Sequence, residues 1–153
     1  MSLYFLLDKD KNPFACSVKE WADWINHNSK HVRHTIIKKY GVRISTVFLG
    51  IDHNHFSQSV SKPLLFETMV FLYGNEDLES NLRGYMERYC TWDEALKGHR
   101  EAVKWVIAQI REKEANNCTN CNGSGDLRNG KKQQAEEIHS QVILPYTERS
   151  GDA

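Results

Sequence analysis

The chain predicts an α+β domain: a mostly antiparallel sheet with two principal helices packed on one face, followed by a polar C-terminal tail. Three observations carry that prediction. Arg43–Ile51 and Leu64–Leu72 are rich in Val, Ile, Phe and Thr and have the length of strands. Two capping boxes, Ser17-Val18-Lys19-Glu20 and Thr91-Trp92-Asp93-Glu94, each open a segment whose apolar residues recur every three or four positions. From Asn116 onward apolar residues become scarce, which separates a domain over 2–115 from a tail over 116–153.

Taken in order, Leu3–Leu7 reads as a first strand, ended by the turn chemistry of Asp8-Lys9-Asp10-Lys11-Asn12-Pro13. The first helix runs from the Ser17 cap to about Asn28, with Val18, Trp21, Ala22 and Ile25 as its apolar stripe. His31–Tyr40 reads as a strand and Tyr40-Gly41 as a tight connection. Arg43–Ile51 follows with apolar residues on both faces, which places it centrally in the sheet. After a loop over 52–63 comes the strand Leu64–Leu72, then a polar segment from Gly74 and a short strand at Met86–Cys90. The second helix extends from Thr91 to about Ala115, where Trp92, Leu96, His99, Val103, Val106 and Ile110 share one face. In the tail, Gln133–Gln141 has weak helical character and Val142–Tyr146 is apolar enough to dock on the domain or on a partner.

Composition excludes some functions. Twenty basic and twenty acidic residues cancel, so global charge points to neither nucleic acid nor membrane. The longest apolar block, Leu64–Tyr73, is about half a membrane span and contains Glu67, so no membrane partner is expected. The N-terminus has no basic region and too short an apolar run for a signal peptide. Four cysteines without a secretory signal imply reduced thiols or a metal site. The expected compartment is the bacterial cytoplasm.

Three constellations carry candidate chemistry. Asp52, His53, Asn54 and His55 close a strand, with Glu67 and His99 as prospective neighbours. Carboxylate and imidazole together suit a divalent metal or acid–base catalysis. The structural alternative has Asp52 capping a turn and Glu67 pairing with a core histidine or an arginine. Second, no acidic residue lies between Asp23 and Asp52, while Lys30, Arg33, Lys38, Lys39 and Arg43 do. That hairpin suits phosphates or an acidic protein surface, or is a solvated edge protected by its charges. Third, Cys118-Thr119-Asn120-Cys121-Asn122-Gly123-Ser124-Gly125 resembles half of the zinc knuckle of DnaJ-type chaperones. Two thiolates on a turn chelate zinc, but a tetrahedral site takes four ligands. His139, Cys16, Cys90, a loop histidine or a second subunit must supply the others.

Several long segments resemble a family of small hypothetical proteins of bacteriophage and prophage genomes. They are Glu20-Trp21-Ala22-Asp23-Trp24, STVFLGIDHN at Ser45–Asn54, PLLFETMVF at Pro63–Phe71 and RYCTWDEALKGH at Arg88–His99. The resemblance covers roughly Leu3–Val106 and excludes the tail. It implies a genetic context and assigns no functional residue, because that family has no established activity. The expected function is a small accessory protein that binds a host factor or small ligand, countering host defence, rather than a catalyst. A metal-dependent hydrolase or nuclease using Asp52, His53, Glu67 and His99 is one alternative. A zinc-stabilised nucleic-acid-binding regulator is the other.

Overall fold

A computed structural model describes residues 2–54, 62–73, 78, 82–118 and 142–143. His55, Cys121, His139 and the helix expected at 133–141 lie outside them. Strand β1 (Tyr4–Leu7) pairs antiparallel with β2 (Pro13–Cys16) in a two-stranded sheet of its own. The turn between them is built on Asp8, whose carboxylate accepts the amides of Asp10 and Asn12 at 2.8 Å each. Pro13 is compatible with β2 because it stands at the first position of an edge strand.

Helix α1 (Val18–His27) begins as the capping box requires. The Ser17 hydroxyl accepts the Glu20 amide, and the Glu20 carboxylate accepts the Ser17 amide at 2.8 Å. Its stripe is only half-buried, and Val18 is exposed. It sits beside β1 and reaches the larger sheet through Trp24, whose ring meets Phe48 edge-on at 5.6 Å.

The larger sheet contains β3 (His31–Ile37), β4 (Val42–Phe48), β5 (Phe66–Leu72), β6 (Met86–Tyr89) and β7 (Val142–Ile143), in the order β6-β5-β4-β3-β7. Every pairing is antiparallel. Strand β4 is central, as its composition predicts, although the ladder ends at Phe48 rather than Ile51. Gly50 and Ile51 instead tie the two sheets together: Phe5 donates to the Gly50 carbonyl, and Ile51 bridges Tyr4. Lys38–Tyr40 is a 3-10 turn rather than the end of a strand, closed by Gly41 at φ 63°. No side chain fits at Gly41, since a Cβ there would lie 2.3 Å from the Tyr73 carbonyl oxygen. Of the two places open to the tail's apolar segment, the domain or a partner, Val142–Ile143 takes the domain, pairing with Ile37 and Ile36.

Helix α2 (Trp92–Cys118) starts at the second capping box, with Thr91 accepting the Glu94 amide and Glu94 accepting the Thr91 amide. It runs three residues past the boundary expected at Ala115. It crosses β3, β4, β5 and β6 on one face of the sheet, the face that Trp24 of α1 also touches. Ala95, His99, Ala102, Val106, Ile107 and Ile110 are buried against Ile37, Val42, Ile44, Phe48, Phe66 and Val70. Each large apolar side chain in that layer contributes about 2 kcal/mol on burial. Trp21 and Val103, expected in the core, are only half-buried. The segment after Gly74 is not wholly polar in role, because Leu78 and Leu82 are buried in the same cluster.

Candidate functional site

The sequence brings His99 to the inward face of α2, and the structure shows what it meets. Its Nε2 lies 2.9 Å from the Thr35 hydroxyl and its Nδ1 2.8 Å from the Thr46 hydroxyl. Thr46 in turn lies 2.6 Å from the Thr68 hydroxyl. All four residues are buried. Burial pushes the imidazole pKa down to about 4, helped by the nearby charges of Arg33, His34 and Arg100. A neutral ring has one donor and one acceptor nitrogen, and the two threonines satisfy both. With its lone pair engaged and no solvent access, His99 is a structural residue.

Glu67 does not join it. Successive residues of a strand point to opposite faces, and Thr68 belongs to the His99 side. Glu67 therefore faces the other side of the sheet, where its carboxylate accepts from Arg88 Nε at 2.9 Å. Asp52 caps its loop by accepting the amides of Asn54 and Leu64 at 2.8 and 3.0 Å. His53 is exposed, and its amide donates to the Leu64 carbonyl. The set Asp52, His53, Glu67 and His99 expected from the sequence thus does not converge. The reason is strand parity: one position separates Glu67 from the face that α2 covers. Among the described residues no group of three or more His, Cys, Asp or Glu is placed to hold a metal ion. Cys118 ends α2, and the rest of the proposed knuckle lies outside the described residues.

The basic hairpin is divided differently from its sequence. Lys39 lies 3.9 Å from the Glu114 carboxylate on α2. Lys30 and Lys38 are exposed. Arg33 and Arg43 both line a groove of about 840 Å³ that wraps the outer edge of β3. The register puts Arg33 on the α2 side of that edge and His34, Ile36 and Arg43 on the opposite side. A register shift between His31 and Arg33 opens the edge there. Lys9 and Lys11 of the β1–β2 turn line it too, as do Trp24 and Trp92. The Lys11 ammonium stands 5.1 Å from the Trp92 ring centroid, an attractive placement that holds it over the groove. Among the described residues Asp8 is the one carboxylate in the lining, and its pKa is held below the usual range by the Asn12 amide that it accepts.

The groove therefore collects cations from three separate segments and commits its acid to a turn. Sequence reasoning found Arg33 and Arg43. It missed Lys9 and Lys11, which it read as turn residues only, Trp92, which it read as part of a helix cap and stripe, and Trp24, which it read only within the segment that carries the family resemblance. Their signal was the alternation of lysine and aspartate over Asp8–Lys11. Among the described residues no helix is long and apolar enough to cross a membrane. Comparison of the chain with protein-family models, with curated proteins and with solved structures finds no match.

Proposed function

We propose that this is a binding protein rather than an enzyme: a small accessory protein of phage or prophage type that captures a host factor or small ligand through its anionic groups, to the detriment of host defence. The groove at the β3 edge carries this reading. Arg33, Arg43, Lys9 and Lys11 all line it, from β3, β4 and the first turn, and among the described residues no uncommitted carboxylate lines it with them. Guanidinium and ammonium groups held by a folded frame recognise phosphate or carboxylate at modest cost in ordering. The divergence of Glu67 from His99 weighs against hydrolysis at the loop after β4. The phage context rests on the sequence pattern alone, which makes it an association rather than a consequence of the site.

The test has two parts. Titration with sodium tripolyphosphate, followed by tryptophan fluorescence through Trp24 and Trp92, should saturate in the wild type. It should fail in the Arg33→Glu, Arg43→Glu double variant. The wild-type chain immobilised in host lysate should retain one dominant component that the double variant loses. Absence of both effects in a folded wild type would overturn the reading.

A further inference from the structure

The sheet face opposite α2 has no helix on it among the described residues, and its side chains form a pattern. Strand parity places His34 and Ile36 of β3, Arg43 and Ser45 of β4, and Met69 and Phe71 of β5 on that face. The Arg43 guanidinium lies 4.9 Å from the Phe71 ring centroid and 5.4 Å from that of Tyr73. Tyr73 is 57% exposed and Arg43 is exposed. Arg43, Ser45, His34 and Ile36 also line the groove, so the face and the groove are one continuous surface.

We infer that this surface binds single-stranded RNA, with its backbone drawn into the cationic groove and its bases laid across Arg43, Phe71 and Tyr73. This rests on the anionic-ligand reading above and names the ligand class. Exposed rings on an antiparallel sheet give unstacked bases a platform, and an arginine plane between them gives another. Phosphodiesters complement the groove cations. A surface that turns over a strand edge suits a flexible single strand and not a stiff duplex. The polar groups set among the stacking residues are the Ser45 hydroxyl and the His34 imidazole, side by side in the β3–β4 register. Each is able to donate to or accept from a ribose 2′-hydroxyl, which selects RNA over DNA. An acidic protein surface uses the cations and leaves the rings without a purpose.

Fluorescence anisotropy with a labelled ten-nucleotide oligouridylate tests it. Binding should weaken as salt rises, with a log–log slope of about −0.7 per phosphate contact. Tyr73→Ser should weaken binding roughly tenfold, as loss of one stacked base does. Arg43→Ser should do the same and also flatten the salt slope. Lys104→Ala, on the exposed side of α2, should change nothing. The matching oligothymidylate should bind several-fold more weakly. Circular dichroism of the variants confirms that the fold is intact, and the exposure of Tyr73 makes it the least disruptive change. Failure of oligouridylate to bind overturns the inference, and tripolyphosphate binding in the same sample then leaves the groove reading standing. Equal affinity for the two oligonucleotides overturns the assignment to RNA. Displacement of oligouridylate by equimolar polyglutamate assigns the surface to an acidic protein and overturns the inference.

Discussion

Acidification should unlock the sheet from α2 through His99, and the size of the effect follows from its surroundings. The imidazole titrates near 6.5 in an unfolded chain and near 4 when folded, because protonation has to occur without water beside the Arg33, His34 and Arg100 charges. Between those two values the unfolded chain takes up a proton that the folded chain refuses. Stability is therefore fully present above about pH 6.5 and is lost as pH falls toward 4. The gap corresponds to about 3 kcal/mol, a large share of the 5–15 kcal/mol typical of a domain. Protonation also turns both ring nitrogens into donors, so Thr35 and Thr46 both have to accept. Urea unfolding at half-unit steps from pH 7.5 to 4 should show stability falling by about 1 kcal/mol per pH unit below 6.5. His99→Gln should start about 2 kcal/mol lower, because one short amide cannot span both threonines, and should lose the slope. Asp8 and Glu20, whose carboxylates are held low by backbone amides, begin to act only near their ordinary values of 3.8 and 4.5, so they touch just the foot of this window and do so equally in both proteins. Parallel curves for the wild type and His99→Gln over the window would refute the argument.

Three further outcomes are expected. Arg88→Ala leaves the mostly buried Glu67 carboxylate without its partner and should cost roughly 3 kcal/mol by urea unfolding, with recovery in the Arg88→Ala, Glu67→Met double variant. Gly98→Ala puts a Cβ 2.1 Å from the Tyr89 hydroxyl and its ring carbon. It should lower stability by about 1–3 kcal/mol, and the further change Tyr89→Ala, which vacates that space, should reduce the loss. If Cys118 and Cys121 capture zinc, purified protein should carry metal that a chelator removes. Serine at both positions should abolish it and leave the urea midpoint of the domain unchanged, since the buried core ends at Ile110.

Much of the fold was legible because local and global signals agree. Both capping boxes form with reciprocal hydrogen bonds. Val42–Phe48 is central as expected, although only the face with Val42, Ile44, Thr46 and Phe48 is buried and the face with Arg43, Ser45 and Val47 is not. Strand β2 was not legible, because Pro13–Cys16 is a four-residue edge with two exposed positions and no alternation. Leu78 and Leu82 were hidden among polar neighbours, although their spacing of four is that of one helix face. The candidate site was legible residue by residue but not as an arrangement. Asp52 and Glu67 were visible as carboxylates in apolar surroundings, yet only strand parity decides that Glu67 looks away from His99. The groove was half legible, because Lys9 and Lys11 lie more than twenty residues before Arg33 in the chain.

The bond from His99 to Thr35 and Thr46, extended to Thr68, reaches three consecutive strands at once. Strands β3 to β6 form a meander, each laid against the one before it, so the sheet can assemble as the chain emerges. A ladder of this kind is prone to slip by one residue, and such a slip turns every side chain to the other face. In β3 it would offer His99 a histidine or an isoleucine from the neighbouring positions, in β4 a serine or a valine, and in β5 a glutamate or a methionine. None of those combinations leaves the imidazole matched to two hydroxyls in a dry interface. The helix can close without a buried polar defect only over a correctly registered sheet. His99 thus acts as a proofreading contact for assembly, set on a helix made after the three strands that it checks.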